Sequence, residues 1–257
     1  MMGIGYGECK NLVIENMTFQ NFTDTGIYAF ESTGVVIRSC VFRNNGFESL
    51  DPDFEHEGFG VIVSDSTDVL IENNESYYNG PKPAYRDRGI LGTGIDTYTI
   101  RDATIRGNSS HDNTGGGLLI EDGVNVLVEN NHLERNYLDA TVDGWWDAGV
   151  WVDGGHDVTV RSNTIRDNLG PGIQMSDSDL QYHKTPRASY GYTAEDNIIS
   201  GNYFALYTLN FGQCPLPPRK TSYGRTIPLK TMSIPAPLIP NTHLTVIYSV
   251  PGARAAT

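Results

Sequence analysis

Asp157-Val158-Thr159-Val160-Arg161-Ser162-Asn163-Thr164-Ile165, closed by Asn168 and reopened by Gly172-Ile173-Gln174-Met175, is the stretch whose reading decides the fold. Its opening alternates polar and apolar side chains, the signature of a strand, and two asparagines follow Val160 at three and eight residues. The same grammar surrounds Ile14, Ile37, Ile71, Ile105, Val128 and Ala194. Three residues after an anchor stand Asn74, Asn108, Asn131, Asn163 and Asn197. Eight residues after one stand Asn45, Asn79, Asn113, Asn136, Asn168 and Asn202. The anchors are spaced 23, 34, 34, 23, 32 and 34 residues apart, so a base unit of 23 residues recurs and some copies are lengthened. A fixed period in this range predicts stacked supersecondary units.

Each unit reads as a strand, an Asn-rich bend, a short second strand and a small acidic bend. The second strands are led by glycine: Gly26-Ile27-Tyr28-Ala29, Gly60-Val61-Ile62-Val63, Gly117-Leu118-Leu119-Ile120, Gly149-Val150-Trp151-Val152 and Gly172-Ile173-Gln174-Met175. No apolar run at helical spacing is long enough for a helix. Strands that recur at a fixed period stack only if the chain coils and each pairs in parallel with its equivalent one turn away. The sequence therefore predicts an all-β solenoid of about seven coils. Asparagine suits its bends because it tolerates left-handed backbone and bonds the backbone through its amide. At equal positions in successive coils these amides can also bond one another. That ladder reading takes precedence over glycosylation at Asn16-Met17-Thr18, Asn21-Phe22-Thr23, Asn74-Glu75-Ser76 and Asn108-Ser109-Ser110.

Over about residues 9 to 211 these units resemble the right-handed parallel β-helix repeat of the pectate-lyase-like superfamily. That superfamily includes mannuronan epimerases, polysaccharide lyases, polygalacturonase-type hydrolases, phage tailspikes and periplasmic copper-maturation proteins. The resemblance implies the fold; it does not select one chemistry, because one fold hosts many. The pairs Asp51-Pro52 and His56-Glu57 are similar to the Asp-Pro-His-Glu segment of the epimerases. By register, however, that segment falls at Tyr28-Ala29-Phe30-Glu31-Ser32, which lacks the Asp and the His.

Charge divides the chain. All 31 acidic residues lie at or before Asp196, together with 13 of the 18 basic ones, a net of −18. Nothing in that balance offers the basic stripe of a nucleic-acid binder. Eight of the 13 prolines follow residue 212, where the Asn repeat stops. Residues 1–211 are thus expected to form the helix domain, without its N-terminal cap, and 212–257 a Pro-rich irregular tail that is not another coil. The chain opens directly on a repeat with no signal peptide, as part of a longer protein would. It has no stretch suited to span a membrane. Cys9, Cys40 and Cys214 are too scattered for a disulfide framework or zinc motif, and Cys40 occupies an inner asparagine's place, which predicts a packed thiol.

Chemistry is expected where the period is interrupted. Three insertions share one bend, after the outer Asn and before the glycine: residues 46–57, 80–88 and 137–147. They should stand as walls of one groove, while a fourth, 178–191, leaves from the opposite bend. The first holds Asp51, Asp53, Glu55 and His56, candidates for acid–base work; Asp51, Asp53 and Glu55 are also candidate oxygen ligands for calcium. Neither role demands a cofactor, and calcium is the one ion suggested. In the second, Lys82 and Arg86 could serve as base and as the cation neutralising a uronate carboxylate, with Tyr85 and Arg88 as substrate contacts. The third adds Asp143 and Asp147 as carboxylates for hydrolysis, and Trp145 and Trp146 to stack on sugar faces. Trp151 and Tyr28, at outward positions of their strands, would extend that platform. Small acidic bends at Glu31, Asp65, Glu121, Asp122, Asp153 and Asp177 are expected to splay into water.

The leading expectation is a carbohydrate-active β-helix acting on an extracellular polysaccharide or oligosaccharide by elimination, epimerisation or hydrolysis. It places the full-length protein outside the cell, in the periplasm or at the cell surface. The alternative is a non-enzymatic sugar-binding, adhesin or spacer module.

Overall fold

The computed structural model describes residues 2–46, 58–81, 92–137, 148–176, 189–209 and 246–247. Within them the chain winds through three parallel sheets, one strand of each per coil. Sheet 1 holds Ile4–Gly7, Ile27–Phe30, Val61–Ser64, Ile95–Tyr98, Leu118–Glu121, Val150–Asp153, Ile173–Ser176 and Leu206–Leu209. Sheet 2 holds Lys10–Glu15, Thr33–Arg38, Thr67–Glu72, Arg101–Arg106, Val124–Glu129, His156–Arg161, Thr193–Glu195 and Val246–Ile247. Sheet 3 holds the short strands Thr18–Gln20, Val41–Arg43, Glu75–Tyr77, Ser109–His111, His132–Glu134, Thr164–Arg166 and Ile198–Ser200. No helix occurs among the described residues. The expected all-β parallel helix is present, with three strands per coil where the repeat suggested two. What reads as one Asn-rich bend is two corners flanking a three-residue strand, too short to show an alternation of its own.

Register keeps like over like. Ile14, Ile37, Ile71, Ile105, Val128, Val160 and Ala194 stack along sheet 2. With Ile27, Val61, Ile95, Leu118, Val150 and Ile173 of sheet 1 they form one continuous core. From the seventh coil the stack continues through Val246–Ile247, which pairs with Ala194–Glu195. That short strand lies inside the segment expected to add nothing to the helix; the remainder of 212–257 is outside the described residues.

Two asparagine columns close the corners beside sheet 3. The inner runs Asn74, Asn108, Asn131, Asn163, Asn197, each Nδ2 donating to the next Oδ1 at 3.0 Å. The outer runs Asn45, Asn79, Asn113, Asn136, Asn168, Asn202 at 2.8–3.1 Å. Each amide also donates to a carbonyl on the preceding coil, as Asn108 does to Ile71 at 2.9 Å. Each Oδ1 accepts the backbone N–H of the residue at the same position one coil earlier, as Asn108 does from Asn74 at 3.0 Å and Asn45 does from Phe22 at 3.3 Å. The ladder is therefore real, but not for the conformational reason expected. None of these asparagines is left-handed; the residue immediately before each one is, as at Asn73, Asp112, Asn130, Ser162 and Gly201. Buried amides supply the hydrogen bonds and a neighbour makes the turn. Burial of Asn74 and Asn108 also closes their sequons, whereas Asn16 and Asn21 lie exposed at turn positions. Cys40 fills the inner place as a buried thiol, with its N–H donating to Asn74 Oδ1 at 2.9 Å. Burial pushes its pKa up, against hydrogen bonds from nearby backbone that pull the other way.

The leading glycines answer to packing. A Cβ on Gly60 would lie 2.2 Å from Ser76 Oγ and 2.4 Å from the Gly94 carbonyl oxygen; on Gly149 it would meet Ile165 Cγ2 at 2.4 Å. The backbone of the next coil passes where a side chain would stand.

Candidate functional site

The insertions begin and end at one corner, between sheets 3 and 1. Gly46 and Gly58 bracket the first and touch: a Cβ on Gly58 would be 2.3 Å from Gly46 Cα. Gly80 and Gly92 meet the same way across the second, with 2.7 Å from a Gly92 Cβ to Gly80 Cα. Each neck is closed, so the coil path continues beneath as if nothing were inserted. Along the stack Gly80 N–H donates to Asn45 O, Gly115 N–H to Gly92 O and Tyr137 N–H to Gly115 O, at 2.7–2.8 Å. The intervening fourth coil turns this corner through Thr114-Gly115-Gly116 alone. The insertions therefore issue beside the outward face of sheet 1, as the spacing predicted.

Because Ile27, Val61, Ile95, Leu118, Val150 and Ile173 point into the core, alternation turns the next residue of each strand outward. One outward row reads Tyr28, Ile62, Asp96, Leu119, Trp151, Gln174, Tyr207. The parallel row reads Phe30, Ser64, Tyr98, Glu121, Asp153, Ser176. Aromatic rings and three carboxylates thus share a single face.

Side chains here are held. Ser176 Oγ donates to Asp153 Oδ1 at 2.8 Å and accepts from Trp151 Nε1 at 2.8 Å. Ser64 Oγ donates to the Tyr28 hydroxyl at 3.4 Å, and the Tyr28 ring leans on Phe30 with centroids 5.5 Å apart. Tyr28 is half-buried and presents an outward ring, as expected. Trp151 is also outward, but only 5% exposed, packed with Leu119 and Ala148 in a cluster separate from the core. It is a covered ring and little of it is open to a sugar.

Of the other predicted site residues, Asp51, Asp53, Glu55, His56, Lys82, Tyr85, Arg86, Arg88, Asp143, Trp145, Trp146 and Asp147 all lie outside the described residues. Among the described residues no group of three His, Cys, Asp or Glu side chains converges as a metal site. The acidic bends divide. Glu31 and Asp65 face water, as expected, while Asp122 and Asp153 are buried and Glu121 is half-buried. Hydrogen bonding, at Asp153 from Ser176, replaces the expected splaying.

Asp96, 9% exposed at the centre of the outward face, was missed. Its strand, Gly94-Ile95-Asp96-Thr97, follows the glycine-led pattern, but the aspartate breaks the apolar run by which the others are recognised. The usable signal was the glycine with its spacing.

A denser charge network covers sheet 3. His111 lies between Asp112 (2.7 Å) and Glu75 (3.4 Å), and Arg135 bonds Asp112 through Nε and Nη2. Glu134 gathers His132, Arg135 and Arg166. Burial pushes the Glu134 carboxyl up, but hydrogen bonds from His132, Arg166 and Arg135 outweigh that and hold it at about 2. These groups satisfy one another and form a structural ladder.

The profile of the family described as "Right handed beta helix region" matches residues 1–81 and 53–214. The chain belongs to that family. This β-helix is 27% identical over 155 residues to a mannuronan C5-epimerase of Pseudomonas putida, a match covering 60% of this chain and 24% of that protein. Among solved structures it resembles the periplasmic alginate epimerase AlgG (TM-score 0.59, 15% identity, 81% of this chain and 46% of that one). It also resembles the A-module of the Azotobacter vinelandii mannuronan C-5 epimerase AlgE6 (TM-score 0.53, 18% identity, 82% and 59%). A third likeness is the family 28 exopolygalacturonase of Yersinia enterocolitica (TM-score 0.51, 15% identity, 79% and 36%). At such identities the structural likeness establishes the fold alone. The β-helix spans about a quarter of the curated relative and about half of AlgG.

Proposed function

We propose that this β-helix is the glycan-handling part of a polysaccharide-modifying protein, with the polymer lying along the outward face of sheet 1. The observation carrying the reading is the meeting, on that face, of Tyr28, Tyr98 and Tyr207 with Asp96, Glu121 and Asp153, beside the corner from which three insertions issue. Tyrosine rings suit the C–H faces of sugars. Asp96 and Glu121 stand on adjacent strands two positions apart, which separates their Cα atoms by about 8 Å from strand spacing and rise. Carboxyls at such separations can act as acid and base across a sugar ring.

The sequence likeness to a mannuronan C5-epimerase supports uronic-acid chemistry. In that reaction a base removes the proton from the carbon beside the uronate carboxylate, a cation neutralises that carboxylate, and an acid on the opposite face returns a proton to the same carbon. A buried carboxylate such as Asp96 is a candidate base, and Lys82, Arg86 and Arg88 of the second insertion are candidate cations. Three carboxylates on the floor would repel a polyanion, so the reading assigns calcium, held at Asp51, Asp53 and Glu55, to offset them. The full protein would then work where such polymers are found, in the periplasm or outside the cell. A second reading, binding without turnover, draws on the packing of Trp151, Gln174 and Ser176, which leaves much of the face covered.

The test uses the full-length protein on a panel of uronate and neutral polysaccharides. It follows reducing ends, unsaturated-uronate absorbance and the epimer ratio by proton NMR, with and without a calcium chelator. Turnover lost in Asp96→Asn, with fold retained, is the expected result. Wild-type silence across the panel with glycan binding intact would select the second reading; absence of both activity and binding would overturn both.

A further inference from the structure

Beside the sheet 3–sheet 1 corner, the residue preceding each outer-ladder position is left-handed: Asn21, Asn44, Tyr78, Asp112, Arg135, Asp167 and Gly201. Asparagine, aspartate and glycine tolerate that conformation; a bulky side chain is strained in it. The row at the other asparagine corner, from Asn16 and Ser39 to Ser162 and Asp196, contains small residues throughout. Arg135 has a reason for its strain in its ion pairs with Asp112 and Glu134. Tyr78 has no such return. At φ 53° it is 50% exposed, and its ring meets the edge of Tyr77 with centroids 5.4 Å apart. Its hydroxyl has no hydrogen-bond partner among the described residues.

The surroundings are built firmly around that open ring. Tyr77 is stacked on His111 at 5.1 Å and 4°, and Arg43 Nη1 donates to its hydroxyl at 3.0 Å. Asn44, the register neighbour of Tyr78 one coil earlier, is half-buried, and its amide makes no hydrogen bond among the described residues. A rigidly backed aromatic face beside an unused amide suits a pyranose ring: C–H groups on the aromatic, a hydroxyl on the amide. Tyr78 also stands only two residues before Gly80, the neck of the second insertion.

We infer that Tyr78, with Asn44, forms an outlying sugar-stacking subsite that holds the polymer as it leaves the sheet 1 groove over the sheet 3 corner. Observed strain joined to exposure is what a residue kept for binding would show. The inference rests on the proposed glycan role of sheet 1, and its test separates the two.

Tyr78→Asn places in the row a residue suited to its backbone; Tyr78→Phe keeps the ring. Full-length wild type and both variants would be titrated with an oligomannuronate and with a cello-oligosaccharide of equal length, and their Tm recorded. For Tyr78→Asn we expect roughly three- to tenfold weaker binding of the longer oligomers, with Tm level or raised by about 2–4 °C. Tyr78→Phe should bind as wild type, and Asp96→Asn should lose turnover while keeping the Tyr78-dependent affinity. Unchanged binding in Tyr78→Asn, or a lowered Tm at wild-type affinity, would make Tyr78 a packing residue and overturn the subsite while leaving the sheet 1 reading intact. A wild type that binds neither oligomer would overturn the sheet 1 reading itself.

Discussion

Replacing Asn108 by alanine tests the claim that the amide ladder, more than strand pairing alone, holds the coils in register. Its Nδ2 donates to Asn131 Oδ1 at 3.0 Å and to Ile71 O at 2.9 Å, and its Oδ1 accepts from Asn74 N–H and Nδ2, both at 3.0 Å. Some partners keep a bond when these are lost. Asn74 Nδ2 retains Ile37 O at 2.9 Å, and Asn131 Oδ1 retains the backbone N–H of residue 108 at 2.9 Å. The Asn74 backbone N–H, deep in the corner, retains nothing. One orphaned buried donor costs about 1–3 kcal/mol, and each of the three further bonds lost about 1 kcal/mol net, so the substitution should cost roughly 4–6 kcal/mol. Glu72→Gln is the control: it removes the Glu72–Arg106 pair on the outer surface of sheet 2, worth under about 1 kcal/mol. A solenoid's stability is a sum over neighbours, so the loss should concentrate in the coils carrying Asn74, Asn108 and Asn131. Denaturant unfolding paired with hydrogen exchange resolved by peptide gives both size and location. Were Asn108→Ala to fall within about 1 kcal/mol of wild type, or its exchange to rise evenly along the stack, the ladder would not be what registers the coils.

Gly60→Ala should destabilise by about 1–3 kcal/mol or more, read as a drop in denaturation midpoint, because the new Cβ would press on the Gly94 carbonyl oxygen. A neutral result would show that the corner can yield. Glu134→Gln should weaken the fold at neutral pH, by less than the ~3 kcal/mol to which the fall from 4.5 to about 2 is equivalent, because water screens its exposed partners. A depressed carboxylate stabilises above its unfolded pKa and loses that stabilisation as pH falls through its folded one, so wild type and variant should converge between about pH 4.5 and 2; parallel pH–stability curves would contradict this. Peptide mapping after alkylation should find Cys9 modified and Cys40 protected until denaturant is added, since of these two described cysteines Cys40 is buried and Cys9 is half-buried. Equal labelling in the folded state would refute that burial.

How much of this was legible in the sequence depends on range. The core anchors, both asparagine columns and the shared corner of the insertions follow from one demand repeated in every coil, and repetition makes a local demand visible. The short sheet 3 strands escaped because three residues carry no period. The left-handed positions were assigned one residue late, to the asparagines themselves, because a turn's sequence does not say which residue bends and which bonds. Asp96 was hidden because outwardness on sheet 1 is a matter of stacking, and an aspartate in a strand looks like an interruption until its neighbours 34 residues before and 23 after are laid beside it.

The amino-acid sequence alone therefore determined the solenoid, its period, its ladders and where the chain departs from them, because each coil must satisfy the same buried amides and the same apolar wall. Only the tertiary structure decided which residues share a surface. It set Asp96, Glu121 and Asp153 on one face with Tyr28, packed Trp151 away, and left Tyr78 strained and open at the corner. Those neighbours are a coil or more apart in the chain, and only in-register stacking brings them together.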